Sequence, residues 1–242
     1  MSATNKNVVM IAGAPNTGKT FCLKGVVGGQ TVYLNADMKE LSFDPKGTHE
    51  IYLDDHTEIS DYLEQIEDAD EIEFGVLDTI NMLFELIEED MVMGTYANDT
   101  QKGWQQYGFL YNKIMRQIKS GTKNFAVLTH VENYYDDSGK VVTSKIPIKG
   151  AKGRRGIDAD FSIILQAKCL PIKELKKYPN KLLTITDEEE VDGYKYVLQT
   201  RRDKRSINEI IRCPDHYFSR DELYIDNNLA LLFKRINEVN NK

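Results

Sequence analysis

The segment GAPNTGKT, residues 13–20, fits the spacing Gly-x-x-x-x-Gly-Lys-[Ser/Thr] in full, with an apolar run before it and a helical pattern after it. These residue types at this spacing are chemistry for an oligophosphate. Gly13 and Gly18 let the backbone wrap closely, so that successive N–H groups form a nest, and the following helix adds the positive end of its dipole. Lys19, read as an exposed point charge, reaches the β- and γ-phosphates, and the Thr20 hydroxyl is placed to ligate Mg²⁺. The predicted nucleotide-binding set is Gly13, Ala14, Pro15, Asn16, Thr17, Gly18, Lys19, Thr20 and Phe21, with ATP and Mg²⁺ as the predicted cofactors.

Three further polar positions end apolar runs. Asp78 closes EFGVLDT, residues 73–79. A carboxylate there would be the second Mg²⁺ ligand, alongside Thr20; the alternative is an acid capping the next helix, because Asp-Thr-Ile-Asn is good cap chemistry. Asp37 closes TVYLNAD and is the leading candidate to orient or polarise an attacking water, with Glu40 in reserve; the alternative is an ordinary acid at the start of a loop. NFAVLTHV ends in Thr129 and His130, and a polar side chain there would face a γ-phosphate and report its presence. The predicted catalytic set is therefore Lys19, Asp37, Asp78 and His130.

These residues need strands that stop at a common edge. Runs at 7–13, 31–37, 49–55, 73–80 and 124–131 read as strands, and the helical period recurs at 57–69, 81–93 and 101–121. In the last helix Trp104, Tyr107, Tyr111, Ile114 and Ile118 share one stripe. DDSG at 136–139 suggests a hairpin or loop, LLTIT and YKYVLQT around DEEEVDG a second hairpin, and 226–240 a C-terminal helix. Early strand–helix alternation predicts an α/β fold, a mainly parallel sheet with helices on both faces and late antiparallel strands, in a single domain over 1–242.

Composition narrows the class. The chain has 242 residues and a net charge of −7, which offers nucleic acid no whole-molecule attraction. Cys22, Cys169 and Cys213 are odd in number and far apart, against a disulfide framework and for a reducing compartment. Neither a signal-peptide layout nor a membrane-length apolar run appears, so the cytoplasm is the expected location (that of a host cell, if phage-encoded), with no membrane partner. Charge is unevenly spread. Between Lys46 and Lys102 there is no lysine or arginine, while residues 50–100 carry seventeen acids; KIPIKGAKGRR (145–155) has five basic residues and no acid. This is either an ordinary solvated acidic face with basic loops, or a polar molecule suited to an anionic ligand or head-to-tail stacking.

The succession GAPNTGKT, YLNAD, GVLDT, Gly103-Trp104, VLTHV and TRRDKR resembles the short RecA-like ATPases of phages, which act as single-strand annealing or strand-exchange recombinases. The similarity runs from about residue 7 to 205. It implies a RecA-like P-loop core, with Asp37 at the position of the catalytic acid and His130 at the γ-phosphate sensor. Asn35-Ala36-Asp37 replaces the usual Asp-x-Glu, a shorter acid that fits slow or DNA-stimulated hydrolysis. The resemblance further implies a DNA-contacting loop after the sensor strand, where Lys145, Lys149, Lys152, Arg154 and Arg155, with Lys140, could neutralise phosphates and Tyr134 and Tyr135 could stack on unpaired bases. Arg201, Arg202, Lys204 and Arg205 become candidates to reach the nucleotide of a neighbouring copy. The expected partners are single-stranded DNA and further copies of the chain. Two other readings stay open: a P-loop kinase acting on a small molecule, and a nucleotide-gated module that loads or regulates a phage replication protein.

Overall fold

The strand β1, Val8–Gly13, is apolar at every position because both its faces are covered. Val8, Met10 and Ala12 enter one core and Val9 and Ile11 a second on the opposite side, the two-residue alternation of a strand buried on both faces. The structure, a computed structural model, describes residues 5–150 and 156–241. Its further strands are β2 (Thr31–Asn35), β3 (His49–Tyr52), β4 (Phe74–Asp78), β5 (Asn124–His130), β6 (Glu132–Tyr135), β7 (Val141–Lys145), β8 (Ile163–Pro171), β9 (Tyr194–Gln199) and β10 (Tyr224–Asp226). Eight of them form one sheet in the order β10-β9-β8-β1-β5-β4-β2-β3. The six from β8 to β3 are parallel; β9 and β10 extend the sheet antiparallel. The expected α/β architecture is present. β5 lies between β1 and β4, so the strands that carry the phosphate loop and Asp78 flank the one that ends in His130.

One face is covered by α1 (Ile59–Asp68), α2 (Ile80–Glu88) and α3 (Thr100–Ser120), whose apolar stripes share a core with β1, β2, β4 and β5. On α3 the buried stripe includes Tyr107, Tyr111, Ile114 and Ile118, as the period predicts, and Trp104 packs at its edge. Among the described residues no helix is long and apolar enough to cross a membrane.

Several segments differ from the sequence reading. The turn after the phosphate loop is a 3₁₀ segment, Thr20–Gly25, not a long α-helix; Gly25 lies tight against Asn228 and the chain turns away at Gly28, φ 141°. The helix expected over 81–93 is α2 to Glu88 and then a π-helical turn, Glu89–Thr95. Gly103 closes on that turn, and a Cβ there would come within 2.8 Å of the Met91 carbonyl oxygen. The DDSG segment does form a hairpin, β6–β7, in which the Asp136 carboxylate accepts from the backbone N–H groups of Ser138 and Lys140.

The second expected hairpin is absent. Residues 182–186 are not a strand. After the short α4 (Ile172–Leu175), the acidic run is α5, Asp187–Asp192, started by a capping box between Thr186 and Glu189 and stopped by left-handed Gly193. β9 instead pairs with β8 and β10. The C-terminal helix α6 runs Leu229–Asn240, not from 226; Asp226 belongs to β10, and Asn228 caps the helix by accepting from Leu231 N–H. α6 and the 3₁₀ segment cover the sheet's other face.

Candidate active site

Parallel strands deliver their carboxyl ends to one edge, the usual ligand crevice of such sheets. β1 ends at Gly13, which lies opposite His130 in register, and β4 ends at Asp78, opposite Asn35 of β2. Asp37 lies two residues past the end of β2, where its N–H and that of Ala36 both donate to the Asp78 carbonyl. The edge thus gathers Lys19, Thr20, Asp37, Asp78 and His130, although they span 112 residues of sequence, from 19 to 130.

The phosphate loop adopts left-handed backbone at Asn16 (φ 62°) and Gly18 (φ 82°). Asn tolerates that region and Gly needs no compensation for it. Lys19 is 6% exposed rather than the exposed charge expected from its motif. Its Nζ folds back to donate to the Ala14 carbonyl at 2.9 Å. Burial pulls its pKa down from the ordinary lysine value, while the charges of Asp78 and Asp37 oppose that.

Asp78 is 2% exposed. Its Oδ2 accepts from the Thr20 hydroxyl at 2.6 Å and from the Tyr33 hydroxyl at 3.0 Å. It does not cap α2; Thr79 does, accepting from Met82 N–H. Burial, reinforced by the Asp37 charge, raises its pKa against the lowering effect of Thr20, Tyr33 and Lys19. A buried hydroxyl–carboxylate pair beside the loop is a hard oxygen donor set, the kind Mg²⁺ takes together with phosphate oxygens and water. Among the described residues there is no cluster of three His, Cys, Asp or Glu that could hold a metal ion.

Asp37 behaves differently. Burial works to raise its pKa, but hydrogen bonds from His130, Thr79 and Lys39 outweigh it and hold the carboxyl well below the usual range. Oδ1 accepts from the Thr79 hydroxyl at 2.7 Å; Oδ2 faces Lys39 Nζ at 3.2 Å and His130 Nε2 at 3.5 Å. An ionised carboxylate only accepts, so the contact is made through an Nε2 proton; among the described residues Nδ1 is buried without a partner. Glu40 is exposed and makes no hydrogen bond among the described residues.

Three residues at this edge had no motif to announce them. Tyr33 reads as an ordinary strand aromatic, and Lys39 as a loop cation. Asn81 is 4% exposed, and its Oδ1 accepts from both the Thr129 hydroxyl (2.9 Å) and the His130 N–H (2.8 Å), while Nδ2 donates to the Pro147 carbonyl at 3.3 Å. It ties the His130 strand end to the segment that leads into the basic loop. The only sequence signal was its place two residues after Thr79, on the first turn of α2.

Among the described residues, the other predicted groups make their contacts outside this cluster. Tyr134 and Tyr135 project from the β6–β7 hairpin, 50% and 60% exposed, with Lys145 Nζ 5.8 Å from the Tyr134 ring centroid. Lys149 reaches Glu88 at 3.1 Å. Lys152, Arg154 and Arg155 lie outside the described residues. Arg201 donates to the Phe218 carbonyl, and Arg205 is ion-paired with Glu174 and Asp203. Arg202 and Lys204 are exposed and, among the described residues, have no ion pair.

No curated protein matches the chain. A family model described as an AAA domain matches residues 5–207, from before the phosphate loop to beyond Arg205. The match takes in the ends of β1, β2, β4 and β5, and stops before β10. Its span, with the phosphate loop seated at the carboxyl edge of a mainly parallel sheet, places the chain in this AAA domain family of nucleotide-binding P-loop ATPases.

Proposed function

We propose that the protein is a Mg²⁺-dependent ATPase that binds single-stranded DNA and assembles on it with further copies of itself, as phage-type RecA-like recombinases do. The observation that carries the catalytic half is the 2.6 Å hydrogen bond between Thr20 and buried Asp78 at the mouth of the phosphate loop. Thr20 and Asp78 would hold the ion, which when bound neutralises charge on the phosphate oxygens. Lys19 leaves the Ala14 carbonyl for the β- and γ-phosphates. Asp37 is a poor proton acceptor because its carboxyl is held so far below the usual range. Its part is to orient: it fixes the His130 ring, and the two together position the attacking water and sense the γ-phosphate. The shorter acid and its low basicity both favour slow turnover.

The DNA half draws support from the exposed tyrosine pair on the β6–β7 hairpin, with Lys140 and Lys145 beside it and the basic stretch to Arg155 following. Exposed rings flanked by cations suit unpaired bases without sequence preference. Of the four cations considered for a neighbour's nucleotide, Arg202 and Lys204 are the ones with no ion pair among the described residues.

One experiment tests the whole reading: ATP turnover with and without single-stranded DNA, together with DNA binding across a salt series. Four lysine or arginine contacts to a single strand predict a slope of log affinity on log salt of roughly −3. Replacing Lys152, Arg154 and Arg155 by alanine flattens it by about two units and spares ATP binding. No DNA binding, with phosphoryl transfer to a small molecule damaged by the same triple change, would establish the kinase reading instead. Unaltered DNA affinity with loss of a replication partner would establish the loader reading.

A further inference from the structure

Lys39 stands at the carboxyl edge of the sheet with no motif to explain it. Its Nζ lies 3.2 Å from Asp37 Oδ2, the oxygen that also faces His130 Nε2 at 3.5 Å. Two features of the backbone hold it there. Met38, between the two charged residues, has left-handed backbone at φ 54°, which a residue with a Cβ adopts only at a cost. The turn is pinned by Asn35, fully buried at the end of β2, whose Nδ2 donates to the Lys39 carbonyl at 2.7 Å.

Charge decides what such a cation is for. Asp37 stays ionised, because hydrogen bonds from His130, Thr79 and Lys39 outweigh burial and hold its carboxyl well below the usual range. An ionised carboxylate that positions a water against a γ-phosphate also repels that phosphate. An ammonium beside it offsets the repulsion, and can turn to the γ-phosphate oxygens over which charge spreads during transfer. The Lys39 side chain is 75% exposed against 10% for Asp37, so the amine can move while the carboxylate stays. An exposed ion pair is weak and yields readily to a phosphate. Other cations are less available. Lys19 belongs to the phosphate loop, and Lys24 lies 5.2 Å over the Phe21 ring. Arg201 is tied to the Phe218 carbonyl, and Arg205 to Glu174 and Asp203. The Lys39 charge already reaches Lys19, where it adds to the lowering of the pKa that burial imposes.

We propose that Lys39 is the cation that stabilises the γ-phosphoryl group during hydrolysis, supplied by the same chain that binds the ATP. The proposal rests on the nucleotide reading of residues 13–20, and it gives the reaction a positive charge that no neighbouring copy has to bring. A water oxygen bonds to the γ-phosphorus as the bond from that phosphorus to the bridging oxygen breaks. The electron pair leaves with ADP; one water proton stays on inorganic phosphate and the other passes to solvent. Lys39 transfers no proton. Its Nζ–H groups turn from Asp37 Oδ2 to a γ-phosphate oxygen, so that Asp37 orients the water and Lys39 offsets the charge.

Binding and turnover test this separately. Calorimetric titration with Mg²⁺ compares ADP with ADP plus beryllium fluoride, a mimic of the γ-phosphoryl group. Lys39→Ala should weaken the second by about tenfold or more and leave ADP unchanged, and Lys39→Arg should restore most of the loss. In steady state, with and without single-stranded DNA, Lys39→Ala should lower kcat by about 10²-fold and change KM for ATP far less. Mixing Lys39→Ala with Lys19→Ala chains then separates action within one chain from action across two, because each supplies what the other lacks. Turnover should not return on mixing. Its return overturns the proposal, since Lys39 would then serve a neighbour's nucleotide. Unchanged kcat, or unchanged affinity for the mimic, in Lys39→Ala also overturns it and leaves a surface ion pair. An equal loss for ADP with and without beryllium fluoride does the same, because Lys39 would then only shape the site. Failure of the wild-type chain to bind ADP in either form instead removes the phosphate-loop reading beneath it.

Discussion

The nucleotide edge and the β6–β7 hairpin both carry charged and aromatic side chains, yet they are built in opposite ways. At the edge Asp78, Lys19 and Thr129 are buried, and each of the three is held by a named partner. On the hairpin Tyr134 and Tyr135 are exposed, and the Lys145 contact is a ring at 5.8 Å. Stabilising charge that develops during a reaction requires dipoles already in place, because reorienting them costs energy at the moment of reaction. Gripping a flexible polyanion of any sequence requires the reverse, with rings and cations free to follow the ligand. Under the proposed function the parallel strand ends serve the first need, and the separate two-stranded sheet that follows β5 serves the second.

The contrast breaks outright if the buried charge is dispensable. Lys19→Ala should lower turnover by about 10²-fold or more, with thermal unfolding little changed; unaltered nucleotide affinity and turnover in a folded variant would remove the phosphate-loop assignment. Asp78→Asn keeps the shape and the contacts with Thr20 and Tyr33 but removes the charge. It should reduce Mg²⁺-dependent turnover by about 10²-fold and nucleotide binding far less, and equal turnover at limiting Mg²⁺ counts against the ion's place there.

Asn81 sharpens the comparison because it ties the edge to Pro147, two residues past the end of β7. Asn81→Leu strands the Thr129 hydroxyl and the His130 N–H, and should cost about 2–3 kcal/mol in urea unfolding. Asn81→Asp retains the acceptor but sets a carboxylate against the Pro147 carbonyl, so it should recover only part of that stability. If the two variants are equally unstable, the acceptor is not what matters.

Asp37 provides the pH dependence. Its carboxyl titrates lower in the folded chain than its ordinary value of 3.8, so its stabilisation is fully present above about pH 5 and is lost as pH falls below 4 toward the depressed value. Wild type should therefore lose about 2 kcal/mol more than Asp37→Asn between pH 6 and pH 2. Parallel stability curves would show that His130, Lys39 and Thr79 do not hold the carboxylate. The hairpin gives the smallest effect. Tyr134→Ala or Tyr135→Ala should weaken single-stranded DNA binding by about 1–2 kcal/mol each, with the salt slope unchanged, since stacking displaces no counterions. A flattened slope would mean the rings act by placing Lys145 instead.

Legibility follows the range of the forces involved. The loop at 13–20 and the acid at 78 could be read because their residue types are dictated locally, by backbone approach to a phosphate and by the end of a buried strand. The central strands of the parallel sheet could be read because burial on both faces leaves a largely apolar run, which the half-exposed edge strand β3 lacks. DEEEVDG misled because four consecutive acids and a glycine look like a turn, while the Thr186–Glu189 capping box and left-handed Gly193 make the same residues a helix. Removing the false hairpin frees β9 to pair with β8, a choice made by distant hydrogen bonds. Gly103 and Trp104 carried the resemblance without their reason. Gly103 lets α3 close on the π turn, and Trp104 covers Gly150, where a Cβ would lie 2.9 Å from the indole ring, at the entry to the basic loop.

By itself the sequence determined that this chain has a phosphate loop, an acid at a neighbouring strand end and an α/β sheet, because each depends on residues close together in the chain. Only the tertiary structure decided which side chains surround them. Asn81 beneath His130, Tyr33 on Asp78 and Tyr196 against Gly18 are set by strand order and register, and no local pattern encodes a contact between residues that meet only when the sheet is assembled.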